Sequence, residues 1–377
     1  MYYLRQAVET LIGSYDGKLP LSHHLKQHFK AHPKLGSRDR RAISDAIYTY
    51  YRFARFVTPS SSQNIWDIVR EGMLQCGIEN AFLQRMLDGM EAHPVQWDIT
   101  APFPGIQLTS GMEADTWKKA MLQQPRLFLR LRHNRERTFQ ILQQQEISYT
   151  LPDEHAISLP NSTQIDKLLD PKDYVVQDYS SQHSMDLLKQ HADADQKAIK
   201  VWDTCAGAGG KMLLLKDTYS EATVLSTDIR PTILHNLKER ARLYGHKFVQ
   251  TKVVDSSDAG AVSGEIQGEY DWVISDVPCS GSGTWARTPE QFYFFHPDKL
   301  LHFADLQWSI ARNTCRKVKP GGYFLYITCS VFTAENEAVV QRLLQTNPDM
   351  ELIAEQLLNG VDAHADSMYA ALIQRKP

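Results

Sequence analysis

Ile199-Lys200-Val201-Trp202-Asp203-Thr204-Cys205-Ala206-Gly207-Ala208-Gly209-Gly210-Lys211 is the stretch that decides the fold. A short run of strand-forming residues ends on an acid, turns through three glycines and leads into Met212-Leu213-Leu214-Leu215. Glycine lets a backbone approach a ligand closely, and a helix start offers N–H groups with no partner inside the helix. The spacing is not G-x-G-x-x-G, which weighs against a dinucleotide site.

The same grammar continues downstream. Strands are predicted at Ile199–Asp203, Thr223–Asp228, Phe248–Asp255, Asp271–Val277 and Tyr323–Cys329. Helices are predicted at Met212–Tyr219, Ile233–Tyr244 and Lys299–Val318, and Thr333 can cap another with Glu335 and Glu337 matching the N-terminal dipole. Such alternation implies an α/β fold, a parallel sheet with helices on both faces and ligands at the carboxyl ends of the strands. Asp203, Asp228, Asp255, Asp276 and Cys329 all fall at those ends.

Upstream the chain reads as helical for about 100 residues. Ile43, Ala46, Ile47, Tyr50 and Tyr51 form one apolar stripe, with Ser37 near the helix start and a loop at Thr58-Pro59-Ser60-Ser61-Ser62. Apolar spacing predicts further helices at Ile65–Leu74 and Ala81–Met90. Pro94, Pro102 and Pro104 mark a boundary. Beyond it a small α+β module is expected, with a helix at Glu113–Met121, strands at Leu127–Arg132, Ile147–Leu151 and Ala156–Leu159, and a helix at Thr138–Gln145. The expected domains are 1–100, 101–195 and 196–377.

The 377 residues carry 42% hydrophobic and 23% charged side chains, ordinary for a globular protein. No apolar run reaches the ~20 residues that cross a bilayer. Five cysteines, an odd number without a disulfide-like framework, fit a reducing cytoplasm, and no Cys/His spacing suggests a metal. The net charge of −3 hides an asymmetry: residues 1–60 carry ten Lys/Arg against four Asp/Glu. That basic end suits a nucleic-acid partner or is simply a solvated face. Arg126, Arg130, Arg132, Arg135 and Arg137 are further candidates for phosphate contacts.

Two cysteine motifs carry the chemistry: Asp276-Val277-Pro278-Cys279-Ser280-Gly281-Ser282-Gly283 and Ile327-Thr328-Cys329-Ser330. Each sits at a strand end beside the glycine turn, whereas Cys76, Cys205 and Cys315 suit simple packing. At the ends of the second and third strands, Asp228 can accept both hydroxyls of a ribose and Asp255 an adenine amino group. S-adenosylmethionine, whose adenosine bears no phosphate, fits this turn better than a dinucleotide does. A thiolate beside a methyl donor suits C5 methylation of a pyrimidine. Addition to C6 makes C5 nucleophilic, and a carboxylic acid such as Asp276 can steady the adduct at N3.

These motifs, with Thr284, Lys319-Pro320-Gly321-Gly322, Tyr326 and Glu335-Asn336-Glu337, resemble the RNA (cytosine-5)-methyltransferases of the RsmB/Nop/NSUN family. Val176-Gln177-Asp178-Tyr179-Ser180-Ser181-Gln182 resembles the lead into that family's catalytic domain, and Leu131-Arg132-His133-Asn134 the start of its small RNA-binding module. Gly36-Ser37-Arg38-Asp39-Arg40-Arg41, with the helix to Arg52, resembles more loosely the NusB-like extension of the bacterial RsmB type.

The resemblance implies a Rossmann-like class I methyltransferase domain preceded by a small α+β module and a helical NusB-like domain. It implies Cys329 as nucleophile, Cys279 in product release and Asp276 at the base. The cofactor site would comprise Cys205, Ala206, Gly207, Ala208, Gly209, Lys211, Asp228, Arg230, Asp255 and Asp276. It further implies a monomer acting on RNA, ribosomal ahead of transfer RNA. Ala208 departs from the family's usual proline, Ala286 from an arginine, and the helical extension is short. Trp285, Phe292, Tyr293, Phe294 and Phe295 can stack on a flipped base or pack in a core. The rivals are a DNA cytosine methyltransferase, which needs only the Pro-Cys thiol, and an idle RNA-binding scaffold.

Overall fold

A computed structural model of the protein describes residues 1–60, 64–192 and 199–377. The loop positions Ser61 and Ser62 and the expected 195/196 boundary lie outside the described residues. The chain forms two compact units. One comprises Met1–Ile106, Glu113–Gln124 and Thr284–Pro297; the other comprises Gln107–Met112, Pro125–Gly283 and Asp298–Pro377.

The first unit is helical. Its helices are Tyr2–Ser14, Leu21–Ala31, Ser37–Ala54, Ile65–Gln75, Ala81–Leu87, Ala114–Met121 and Pro289–Phe294. Ile43, Ala46, Ile47 and Tyr51 are buried, so the apolar stripe of helix Ser37–Ala54 is the core face. Asp39 accepts the N–H of Gly36 at 3.0 Å and fixes that helix's start. Deeper in, the buried Arg52 guanidinium donates to the carbonyls of Met121, Gln123 and Ala286 at 2.9, 2.9 and 2.7 Å.

Arg52 thereby secures Thr284–Pro297, a segment that falls within the expected domain 196–377 and whose aromatics could either stack on a base or pack in a core. Trp285, Phe292 and Phe295 are buried, packing on Phe103. Tyr293 and Phe294 join the core around Tyr51. Core packing decides all five, because burying a large ring releases more apolar surface from water than an exposed stack does.

The second unit holds both sheets. Strands β1 (Leu127–Leu131), β2 (Ala156–Leu159) and β3 (Tyr174–Val176) form a small antiparallel sheet of order β2-β1-β3. The strand expected at Ile147–Leu151 is reduced to one bridge, Thr150 to Ser158. The large sheet uses β4 (Lys200–Asp203), β5 (Thr223–Asp228), β6 (Val249–Val253), β7 (Tyr270–Asp276), β8 (Val318–Thr328), β9 (Met350–Leu358) and β10 (Met368–Arg375). Its order is β6-β5-β4-β7-β8-β10-β9.

Strands β4 to β8 are parallel, as expected. The fully parallel sheet is corrected at its end, where β10 runs antiparallel between β8 and β9. Residues Met368 to Ile373 are buried on both faces, so no alternation announces a strand there.

The arginines near β1 also receive a different role. Arg130 and Arg132 both bind Asp217, at 2.6 and 2.9 Å, and Arg130 also donates to Gln177. They fasten the small sheet to helix Gly210–Thr218, and charges neutralised and buried in this way are poor phosphate ligands. Arg135 is also engaged, donating to the Glu154 carbonyl. In the helical unit, Arg5, Arg40 and Arg55 donate to backbone carbonyls, whereas Lys26, Lys30, Lys34, Arg38, Arg41 and Arg85 are exposed basic positions near helix Ser37–Ala54.

Candidate active site

Strands β7 and β8 are parallel neighbours, with Asp276 opposite Ile327. Their loops therefore leave the sheet side by side. Val277 donates its N–H to Ile327 O at 3.0 Å, and Gly283 to Cys329 O at 2.9 Å. This lacing brings the Cys279 and Cys329 sulfurs to 3.1 Å, although fifty positions separate them. Gly283 must be glycine, because a Cβ there would run into the Ser367 carbonyl.

Such close thiols cannot both ionise. The Cys329 hydrogen bond, then burial and charge, hold the Cys279 thiol well above its ordinary value. Either sulfur can donate in this contact, so an S–H on one can steady negative charge on the other.

The pair opens on a cleft of about 540 Å³ at the carboxyl ends of β4 to β7. Cys205, Asp228, Arg230, Asp255 and Asp276 line it, together with both thiols. Leu306 and Ile310 supply an apolar wall. The sequence thus nominates residues from five separate segments that the fold gathers around one space.

Each carboxylate is already held. Asp228 accepts Arg230 Nε and N–H at 2.9 Å and the Gly207 N–H at 3.0 Å. Burial would raise its carboxyl, yet Arg230 and the Gly207 amide together hold it below the usual range. Asp255 accepts the N–H and hydroxyl of Ser257 at 2.9 and 2.6 Å. Asp276 accepts Lys211 Nζ at 2.8 Å. Lys211, nominated for the cofactor, is buried and reaches the cleft through Asp276 and Ser181.

The turn itself has a shaping role. Gly207 and Gly209 take φ of 53° and 84°, conformations that favour glycine. Gly209 N–H donates to Ala206 O, and Arg240 donates to Ala208 O at 2.7 Å. Burial pushes the Cys205 thiol up to about 12, so it is inert wall. Behind the turn lies Asp203, fully buried, with no hydrogen-bond partner on either carboxylate oxygen. Burial, with Asp276 nearby, pushes it up to about 8.

One residue was misread from sequence. Thr333–Glu335 is a short 3₁₀ turn, and the helix begins only at Glu337. Glu335 faces inward, fully buried, and binds Ser280, Ser330 and Gln307. Asn336 beside it donates to Ser330 O and accepts Thr328 Oγ1. The signal was the Glu-Asn-Glu run itself: two polar residues directly after a cysteine strand have more to bind there than a helix dipole.

Residues 188–374 match the family model of the 16S rRNA methyltransferases RsmB/F. The match covers just under half of the chain and supports an RsmB/F-like family member. A curated relative from Bacillus subtilis (strain 168), named "Probable ribosomal RNA small subunit methyltransferase B", is 32% identical over 152 residues, 40% of this chain. The match spans 34% of that relative's length.

Among solved structures, PH0851 is similar with a TM-score of 0.73 at 19% identity, covering 98% of both chains. NSun6 from Pyrococcus horikoshii, solved with SFG, is similar with a TM-score of 0.59 at 13% identity, covering 74% of this chain and 97% of that one. At such identities the likeness concerns the fold, and with the family match it gives the second unit a Rossmann-like class I methyltransferase architecture. Among the described residues no helix is long and apolar enough to cross a membrane.

Proposed function

We propose that the protein transfers a methyl group from S-adenosylmethionine to C5 of a cytosine in RNA, with ribosomal RNA as the substrate. The observation that carries this reading is the pair of thiols 3.1 Å apart at the mouth of the cleft. A DNA-type enzyme needs only one of them.

The residues present fit the cofactor. Three carboxylates, Asp228, Asp255 and Asp276, line the cleft with one cation, Arg230, a balance that suits a sulfonium cation and opposes a phosphate. Asp228 and Asp255 would hold the adenosine, against Leu306 and Ile310. When bound, the cofactor supplies an electrophilic methyl group.

The chain's own residues do the rest. Cys329 Sγ adds to C6 of the extruded cytosine, and the electron pair of the C5–C6 bond becomes available at C5 for the methyl. Asp276, held by Lys211, steadies the N3 side of the ring. Once Cys329 is bonded to carbon its charge is gone, so the pressure that keeps Cys279 protonated falls. Cys279 then gives its S–H proton to solvent in the cleft, the resulting thiolate takes the C5 proton, the electron pair of the C5–H bond reforms the C5–C6 double bond and the Cys329 thiolate leaves.

Functionally, residues 1–100 and 101–195 would present the RNA and 196–377 would act on it, as a monomer in the cytoplasm. The relative's name supports ribosomal RNA. The test uses RNA tritiated at cytosine C5. Tritium release matched one-for-one by methyl incorporation on ribosomal RNA supports the reading. Preference for transfer RNA or DNA corrects the substrate, and no transfer to any of them leaves an idle scaffold.

A further inference from the structure

We propose that Glu335 is a positioning residue that sets the separation of the two thiols. The residue following each cysteine is bound to the same carboxylate. Glu335 Oε1 accepts the Ser280 N–H at 2.7 Å and Gln307 Nε2 at 2.9 Å. Its Oε2 accepts the hydroxyls of Ser280 and Ser330. Ser280 follows Cys279 and Ser330 follows Cys329, so one side chain spans both motifs.

The surroundings are built to keep that carboxylate in place. Glu335 is 0% exposed, and a buried carboxylate is retained only where its lone pairs are satisfied by well-aligned donors. Gln307 also donates to Pro278 O at 2.9 Å, which anchors the first loop to helix Lys299–Cys315. Tyr326 donates to the Glu335 carbonyl at 2.6 Å, which anchors the backbone to β8. Ser282 and Ser330 hydroxyls meet at 3.0 Å, and Val331 N–H reaches Ser282 Oγ at 2.9 Å. Helix, strand and both loops thus converge on one acceptor, and its charge adds to the pressure that keeps Cys279 protonated.

Glutamine can keep this network. Its amide oxygen accepts from Ser280 N–H and Gln307, while its NH₂ donates to serine hydroxyls that can reverse. Alanine cannot, and leaves four donors without their acceptor. The two substitutions therefore separate the bonds from the charge.

The role in catalysis rests on the methylation reading above, but the thiol geometry can be measured without RNA. With the oxidant diamide, which takes two electrons and two protons from a thiol pair, the wild-type protein should form a Cys279–Cys329 disulfide quickly, read by peptide mass. Glu335→Gln should do so at a similar rate. Glu335→Ala should be slower by about 10-fold or more and should lose methyl transfer by about 10²-fold, as a misplacement of about 1 Å would cost, with S-adenosylmethionine affinity unchanged.

Should Glu335→Ala not fold, Ser330→Ala removes one tether alone and should slow both rates at unchanged cofactor affinity. Wild-type disulfide and methylation rates in a folded Glu335→Ala, or in Ser330→Ala, would overturn the proposal. A wild-type protein that forms the disulfide rapidly yet methylates no cytosine would sink the methylation reading and leave the positioning role standing.

Discussion

Lys211 Nζ and Asp276 Oδ2 lie 2.8 Å apart, joining the glycine turn after β4 to the end of β7. The lysine is buried and the aspartate partly open to the cleft, so the pair ties the floor of the cofactor turn to the carboxylate beside the thiols. Lys211→Met removes a hydrogen bond to a charged group, worth about 1.5–3 kcal/mol. Turnover should fall by more than tenfold while the Cys279–Cys329 disulfide still forms at the wild-type rate, as measured by single-turnover methylation and diamide oxidation. Undiminished turnover would remove Asp276 from the proposed base site.

The two thiols should fail in different ways. Cys329→Ser replaces the nucleophile with a hydroxyl, far weaker at neutral pH, and should give neither product nor covalent complex. Cys279→Ala should attack and methylate, then retain the RNA as a complex that survives a denaturing gel. Trapping by the Cys329 variant alone would exchange the roles.

Asp228 is the strand-end carboxylate proposed to hold the ribose. Asp228→Ala should weaken S-adenosylmethionine binding by about 1.5–3 kcal/mol, the worth of hydrogen bonds to a charged group. Titration calorimetry reads it directly. Because Arg230 also binds Asp228, Arg230→Ala is the control. A loss with Arg230→Ala but none with Asp228→Ala would move the ribose contact to the arginine.

Asp203 should make stability depend on pH. Its carboxyl is pushed up to about 8 in the folded chain, first by burial and then by Asp276, against about 3.9 when unfolded. Between those values the folded state holds a proton that the unfolded state has lost. Burial of Asp203 is therefore harmless below about pH 4, costs more as pH rises and levels off above about pH 8. Asp203→Asn should lose this slope, so its Tm relative to wild type should climb from pH 4 to pH 8. A difference that stays constant with pH would show that Asp203 is ionised throughout.

Some of this protein was legible residue by residue. Strands β4, β5 and β7 announce themselves as short apolar runs that end on an aspartate, and the glycines of the turn are required by positive φ, a local demand. The stripe on helix Ser37–Ala54 could be read because helical periodicity is also local. Both cysteine motifs, and the carboxylates that line the cleft, stood at positions the strand pattern marked as strand ends.

What only the tertiary structure decided is which of these groups meet, and which charges are already used. The 3.1 Å between Cys279 and Cys329 follows from β7 and β8 being parallel neighbours. Arg130 looked like a phosphate ligand until Asp217, 87 positions away, proved to hold it. Trp285 and Phe292 could stack on a base or pack in a core, and Phe103 settles them in the core. Glu335 looked like a helix-dipole acid until its turn faced inward. Periodicity reports a residue's relation to its own element, at separations of two to four. Long-range pairing and burial depend on partners far along the chain, and for these residues those partners set the role.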